Sequence, residues 1–408
     1  MNFELTPALT ELRARARAFV EEAVIPREAE VLRQDAAGER TALLDLREQA
    51  RARGLLVPHL PPELGGQGLG PMGMGAAFRE LGRSLVGPAA CLCDAPDQGN
   101  MDLLQLAATP AQRERWLLPL CRGELTSAFC LTEPAPGAGA DPGNLRTRAR
   151  PDGDGWRLEG HKWYATGAAG AAVLLVVART ADDALDVPSP RREPRRGAAT
   201  VFLVDRHAPG VELVREIETL GEPFLTHREA ELRFRDVRLG PGDVLGQVGQ
   251  GFDLVQRRLV PARLTHCMRW LGLADRALGL CRDYLNLRES FGRKLGEHQQ
   301  VQVMIHRGVE ALHAADLVTW RATWLLEQGR EAEAKPGASL AKTMVARALC
   351  QVLDDAIQMH GALGYSQDLP FAGWWRHARA ARIADGPDEV HVSHVAREFL
   401  HGRVGPLV

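Results

Sequence analysis

The sequence predicts an α+β protein in three successive parts: an N-terminal helical domain, a central β-barrel-like domain and a C-terminal four-helix bundle. Three observations predict it. Apolar residues recur at helical spacing through the first third of the chain. Near Thr126 the pattern changes to short β-rich runs bounded by Gly, Pro and Asp. From about Gly251 helical spacing returns, over segments long enough to form a bundle. The expected boundaries are residues 1–125, 126–245 and 246–408.

Taken in order, Thr6 and Pro7 form an N-cap and first-turn pair. Leu9, Leu12, Ala16, Phe19, Val20 and Ala23 follow at helical spacing, until Pro26 is expected to end the run. Further helices are expected near residues 40–53, 74–85, 96–108 and 110–121, joined by Gly/Pro segments such as "PPELGGQGLGPMG". The strand runs are "TSAFCLTE", "GWRLEGHKWYATG", "AAVLLVVART", "ATVFLVDR" and "EAELRFRDVRL". In the last, Ala230, Leu232 and Phe234 alternate with charged residues, as on a sheet with one buried face. The polar Pro/Arg stretch from Asp182 to Gly197 reads as a solvated loop. In the bundle, one buried stripe is Val301, Met304, Ile305, Gly308, Leu312 and Ala315. A second is Ala341, Met344, Val345, Ala348, Val352, Ala356 and Met359. No internal repeat is visible.

Composition narrows the function classes. Hydrophobic residues make up 45% of the 408 and charged residues 25%, as in ordinary globular proteins. A net charge of −2 gives no global attraction for nucleic acid or an anionic membrane. No apolar run approaches membrane-spanning length, and the acidic, amphipathic amino terminus does not read as a signal peptide. The seven cysteines lack paired zinc spacing, so no metal site is expected, and they read as reduced core thiols of a cytoplasmic protein.

The stretch "ARIADGPDEVHVSHVARE" gathers three acids around Gly386 and Pro387. Pro is tolerated at a helix start, so Asp388 and Glu389 fall in a first turn where the helix dipole favours carboxylates. Asp385, on the loop side, can cap that helix or project into a cleft as a general base. From local sequence alone, capping is the simpler account. Elsewhere, "LTEPAPGAGADPGN" follows a strand, where glycines bring backbone N–H groups close to a phosphate or flat cofactor, or merely form a loop. Arg263, His266 and Arg269 make a polar strip on an otherwise apolar helix.

Together and in this order these segments resemble the acyl-CoA dehydrogenases, over nearly the whole chain. "TEP…GAGAD" resembles the family's T-E-P-G-A-G-S-D flavin loop, with two extra residues and Ala140 for the serine. "GHKWYATG" is similar to G-x-K-x-W-I-T-N, "RESFGRKLGEHQ" to R-x-x-F-G-x-x-L-x-x-H-Q, and "QMHGALGY" to Q-x-x-G-G-x-G-Y. One branch resembles the chain further, the dehydrogenase portion of long proteins that also carry a kinase domain. It shares "APDxGNM" at Ala95 to Met101, "RxxHCMR" at Arg263 to Arg269, "SQDxP" at Ser366 to Pro370 and "ADGPDEVH" at Ala384 to His391.

The resemblance implies that Asp385 takes the place of the family's catalytic glutamate, with a reach shorter by about 1.5 Å. It implies FAD as cofactor, an acyl-CoA substrate oxidised to the trans-2-enoyl-CoA, and an electron-transfer flavoprotein as electron acceptor. Phe129, Leu131, Thr132, Gly139, Ala140, Trp163, Tyr164 and Thr166 would hold the flavin of one subunit, with Pro387 and Glu389 nearby. Arg288, Ser290, Phe291, Gln299, Gln358 and Gly361 would reach the flavin of a neighbour, implying a homodimer or homotetramer. Arg263 would face CoA, and Gly386 the substrate. By the same resemblance His266 takes an acyl-cavity position that is usually aliphatic, and Asp94, Asp97, Gln98 and Asn100 occupy a stretch that normally lines the cavity floor. Either they pair among themselves, or the acyl chain carries a polar group, for which the branch points to 4-hydroxy or 4-phosphoacyl-CoA, with His266 and Arg269 on the phosphate. Two other readings remain: a nitroalkane-oxidase-like flavoenzyme, and a DNA-associated member of the fold using Arg376, His377, Arg379 and Arg382.

Overall fold

The computed structural model describes residues 4–180, 199–220 and 228–405. The stretch from Asp182 to Gly197, read above as a loop, lies outside them. The first helical part comprises α1 (Pro7–Phe19), α2 (Glu28–Ala36), α3 (Thr41–Ala52), α4 (Pro71–Leu81), α5 (Val86–Ala90), α6 (Asp97–Ala107), α7 (Pro110–Gln112) and α8 (Leu118–Arg122). Thr6 caps α1, its hydroxyl accepting from the Leu9 N–H at 3.3 Å. Pro26 does not end the helical run. The chain continues through a π turn, Val20–Val24, and a 3-10 turn, Ile25–Arg27, into α2. Pro26 sits in the first turn of that 3-10 segment, where its missing N–H is not needed.

The β part contains β1 (Ser127–Cys130), β2 (Arg148–Asp152), β3 (Gly155–Thr166), β4 (Val173–Arg179), β5 (Ala199–Asp205), β6 (Val211–Ile217), β7 (Glu229–Leu239) and β8 (Val244–Leu245). They form one sheet in the order β6-β7-β3-β2-β4-β5-β8, with β1 pairing parallel to β4. Alternation along β4 and β5 divides their side chains between two cores. Val173, Leu175, Val177, Val201 and Leu203 join the helical core, while Leu174, Val176, Phe202 and Val204 line the core of the β part. That is why "AAVLLVVART" reads as a continuous apolar run rather than an alternating one. On β7 Ala230, Leu232 and Phe234 are buried as expected; Glu231 between them is buried too, reached at 2.8 Å by His161 and Arg215, and the alternation slips at Arg235 and Asp236, both exposed, before Val237 and Leu239 resume it.

The last part begins with α9 (Gly251–Leu287) and the short hairpin β9 (Glu289–Ser290) and β10 (Arg293–Lys294). There follow α10 (Gln299–Glu327), α11 (Glu331–His360), α12 (Ala362–Tyr365), α13 (Phe371–Ala380) and α14 (Asp388–Leu400). The three long helices pack on one another, α13 and α14 lie against α11, and α4 lies against α9 and α10. Ala341, Val345, Ala348, Val352, Ala356 and Met359 are buried along α11 as their spacing predicts, while Met344 is half-buried. α4 and α9 meet almost backbone to backbone. A Cβ on Gly82 would collide with the main chain of Arg269, and one on Gly272 with the carbonyl of Arg79. Among the described residues no helix is long and apolar enough to cross a membrane, and no group of three or more His, Cys, Asp or Glu could hold a metal ion. The cysteines are free thiols, buried except for the half-buried Cys350.

One ion pair ties the loop after β1 to the sheet. Lys162, fully buried on β3, donates to the Leu131 carbonyl at 2.8 Å and to Glu133 Oε1 at 2.9 Å. Glu133 also accepts from the backbone N–H groups of Ala138, Arg146 and Thr147. Removing one member of such a pair strands the other's charge. Lys162→Met is expected to cost about 3–5 kcal/mol of stability, measured by urea unfolding.

Candidate functional site

The turn before α14 is built by backbone bonds. The N–H groups of Ile383 and Ala384 both reach the Ala380 carbonyl at 2.9 Å, and the Asp388 N–H closes onto Arg382 at 3.1 Å. The closure forces Asp385 to φ 51° and Gly386 to φ 103°, the left-handed region that glycine tolerates and aspartate enters at a cost. Only glycine suits position 386, because a Cβ there would press to 3.0 Å from His391 Nε2. Three donors hold the turn: Arg263 Nε to the Asp385 carbonyl at 3.3 Å, His391 Nε2 to the same oxygen at 3.2 Å, and Lys342 Nζ to the Gly386 carbonyl at 2.7 Å. Burial, then the charges of Arg263 and Lys342, push His391 down to about 4, so it is a neutral donor here. Its Nδ1 meets the Ser339 hydroxyl at 3.2 Å.

Asp388 does more than stabilise a helix start. It is buried, and its Oδ2 takes Arg382 Nε at 2.9 Å and Arg347 Nε at 3.2 Å, with Lys342 Nζ 3.9 Å from Oδ1. The same lysine therefore links the Asp388 carboxylate to the Gly386 carbonyl.

The Asp385 side chain points the other way, towards α9. Its Oδ2 lies 3.1 Å from His266 Nε2, with the two side chains 21% and 15% exposed. His266 Nδ1 is 3.1 Å from Arg269 Nη2, and its ring stacks on Trp270 with centroids 5.1 Å apart. Arg269 donates through Nη1 to the Cys93 carbonyl at 2.7 Å, and its Nε is 3.7 Å from Asp94 Oδ1. Burial alone would raise the Asp385 carboxyl. The hydrogen bond from His266 and the charges of Arg258 and Arg263 outweigh it and hold the group well below the usual carboxylate range. Burial holds His266 below the ordinary imidazole range.

Beneath lies a paired polar floor. Asp97 Oδ1 accepts from the Ser127 N–H at 2.7 Å and hydroxyl at 2.6 Å, and Asn100 Nδ2 donates to that hydroxyl at 2.9 Å. Gln98 binds Asp102 at 2.6 Å and the Thr265 hydroxyl at 3.1 Å. Arg258 Nε donates to Asn100 at 3.0 Å, and its guanidinium lies over the Phe129 ring, 4.2 Å from the centroid. Burial raises Asp97 and pushes Asp102 up to about 7.

The structure thus brings together Asp385, Gly386, Arg263, His266, Arg269 and Asp94, and joins Gln98 to them through its backbone N–H, which donates to the Asp94 carbonyl at 2.8 Å. Phe129 is connected through Arg258. On the β part, the Trp163 N–H bonds the Thr132 carbonyl at 3.1 Å, Trp163 and Tyr164 meet edge to face at 5.0 Å, and the Trp163 indole N–H is buried without an acceptor among the described residues. Gly139 and Ala140 are exposed, and the Thr166 hydroxyl is bound to Glu229. Pro387 caps α14 and Glu389 is exposed on its first turn. Arg288, Ser290, Phe291, Gln299, Gln358 and Gly361 lie elsewhere, at the far end of the bundle, where Tyr284 stacks on His360 at 4.3 Å. Arg263 and Leu287 are about 36 Å apart along α9.

Four residues of the site escaped the sequence reading: Arg258, Lys342, Asp388 as a charge hub, and His391. Arg258 had a signal. Thr265, His266 and Arg269 follow it by seven, eight and eleven residues, one helix face, whereas triplet spacing drew attention to Arg263 instead. Lys342 and His391 had none, because a charged side chain inside an apolar stripe declares itself only through its partner.

Family models cover most of the chain: the acyl-CoA dehydrogenase N-terminal domain at residues 6–124, the middle domain at 128–237 and the C-terminal domain at 249–400. The chain is 36% identical over 409 residues to the Mycobacterium tuberculosis protein named "Probable acyl-CoA dehydrogenase FadE2", covering 98% of this chain and 97% of that one. It is 34% identical over 408 residues to acyl-CoA dehydrogenase family member 11 of Rattus norvegicus, covering 97% of this chain and 51% of that one. The chain thus spans about half the length of the rat and mouse relatives. A solved Mycobacterium abscessus structure, described as of an acyl-CoA dehydrogenase, superposes with a TM-score of 0.90 at 33% identity, covering 98% of this chain and 100% of that one. Butyryl-CoA dehydrogenase from Megasphaera elsdenii superposes at 0.82 and 24% identity over 98% of this chain and 100% of its own, a likeness of fold alone. With three consecutive domain models matched in order and relatives above 30% identity along almost its full length, the chain belongs to the acyl-CoA dehydrogenase family.

Proposed function

We propose that the chain is an FAD-dependent acyl-CoA dehydrogenase in which Asp385 removes the α-proton of an acyl-CoA thioester. The observation that carries this reading is the strained turn. A non-glycine residue kept at φ 51° in a turn held by three donors, its carboxylate turned towards α9, is costly unless that carboxylate has work there. Asp385 is ionised at rest and can accept a proton on Oδ1, since Oδ2 faces His266. Excluding water around it as a substrate enters would raise its affinity for that proton.

The β part supports a flavin site. The orphaned Trp163 indole N–H wants an acceptor, and the space beside Gly139 is open, with nothing within 4 Å of a Cβ built there. Phe129, Leu131, Thr132, Gly139, Ala140, Trp163, Tyr164 and Thr166 would hold FAD, with Pro387 and Glu389 close by. FAD, when bound, accepts the β-hydrogen with its electron pair. Phe291 is 95% exposed, and its companions Arg288, Gln299, Gln358 and Gly361 are exposed too, which suits contact with the flavin of a second subunit. An electron-transfer flavoprotein would take the electrons onward.

The charges favour a polar acyl substituent, of the 4-hydroxy or 4-phospho kind, supplied by a kinase in the second case. Arg258, Arg263 and Arg269 face Asp385 and Asp94, while burial shifts Asp97 and Asp102 towards neutrality, leaving positive charge in excess. Arg269 and His266 would have to give up present partners to meet the substituent. Arg258 has Nε and Nη2 engaged and Nη1 without a hydrogen bond among the described residues.

Asp385→Asn is expected to keep its yellow flavin but to lose about 10²–10⁴-fold in anaerobic flavin bleaching by acyl-CoA. Full activity in that variant would overturn the base assignment. In a panel of acyl-CoAs, bleaching is expected to be fastest with 4-hydroxy or 4-phospho chains. A preference for unsubstituted chains would remove the polar-substituent reading and leave the reaction class standing.

A further inference from the structure

His266 has two ring nitrogens, and each faces a group of fixed hydrogen-bonding sense. Arg269 Nη2, 3.1 Å from Nδ1, belongs to a guanidinium that donates and never accepts. Nδ1 must therefore be the acceptor and carry no proton. The proton of the neutral imidazole then sits on Nε2, which faces Asp385 Oδ2 at 3.1 Å and donates to it. Arg269 is not free to turn away. Its Nη1 is bound to the Cys93 carbonyl, its Nε faces Asp94, and its main chain lies against Gly82. The Trp270 ring stacked on His266 fixes the imidazole plane.

Resting on the function proposed above, we infer that His266 is a positioning residue for the base, locked by Arg269 as the neutral Nε2–H tautomer so that it anchors one oxygen of Asp385 and leaves Oδ1 alone to meet the substrate. Three consequences follow from the geometry. His266 cannot itself be the base, because a proton arriving at Nδ1 would face a guanidinium N–H. Asp385, shorter than glutamate and anchored at Oδ2, keeps one carboxylate orientation instead of sampling several. The anchor also stabilises the ionised carboxylate and so weakens it as a base, which ties rate to whether the hydrogen bond is kept. The other charged or titratable groups around Asp385 are Arg258 and Arg263 on α9, Lys342 on α11, and Asp388 and His391 on α14. Arg263, Lys342 and His391 hold the backbone of the turn, which leaves the His266 bond as the specific anchor of the carboxylate oxygen.

Two measurements on the holoenzyme test this. In protein labelled with 15N-histidine, the His266 signals, assigned by their loss in His266→Gln, are expected to show an unprotonated Nδ1 and a protonated Nε2 across about pH 6 to 8. An imidazolium or an Nδ1–H tautomer would overturn the inference, whatever the reaction proves to be. In kinetics, His266→Leu is expected to lower kcat about tenfold or more with KM changed less than about threefold. It should also move the acid limb of the kcat/KM profile to higher pH, since a carboxylate that loses a donor becomes more basic. His266→Gln, whose amide can donate from a similar position, should restore most of kcat and the original limb. Wild-type kcat and profile in His266→Leu, alongside an inactive Asp385→Asn, would sink the positioning role and leave the base standing. Absence of acyl-CoA turnover in the unmodified holoenzyme would instead sink the function, and the tautomer would still be read by NMR.

Discussion

Two consecutive carbonyl oxygens, those of Asp385 and Gly386, carry the geometry of the site. Arg263, His391 and Lys342 converge on them from α9, α14 and α11, so one turn gathers three helices. A left-handed aspartate costs on the order of 1–3 kcal/mol. Hydrogen bonds from charged donors contribute roughly 1.5–3 kcal/mol each, enough to offset that cost. Asp388 completes the arrangement by neutralising Lys342, Arg347 and Arg382 where they would otherwise repel one another.

The sheet matters to the site because β4 and β5 belong to two cores at once. Their helical-side residues fix the β part against the α-helical body, and β1, hydrogen-bonded to β4, brings Phe129 beneath Arg258. Lys162 and Glu133 then hold the loop that follows β1. A carboxylate on the last helical segment and an aromatic surface on the sheet are thereby related through packed, satisfied contacts.

The three-part architecture was legible because periodicity is a property of many residues together. The stripes of α11 and the cap at Thr6 appear where spacing puts them. Pro26 misled, because a proline stops a helix only where its N–H is required, and a π turn followed by a 3-10 turn removes that requirement. At the site, motif order pointed to Asp385, and the polar strip on α9 was visible. What Arg269 and His266 do to each other was not, since the sense of a hydrogen bond depends on two atoms meeting in space. The choice between mutual pairing and a substrate's polar group for Asp97, Gln98 and Asn100 also lay beyond sequence. All three now have protein partners.

The contact of α4 with α9 limits how the surroundings of Asp385 can diversify. Where Gly82 meets Arg269 and Gly272 meets Arg79, main chain rests on main chain, leaving no side-chain layer to trim or swell. Any reshaping of the surroundings of Asp385 must therefore come from other elements, while the row bearing His266 stays at a fixed depth like a keel.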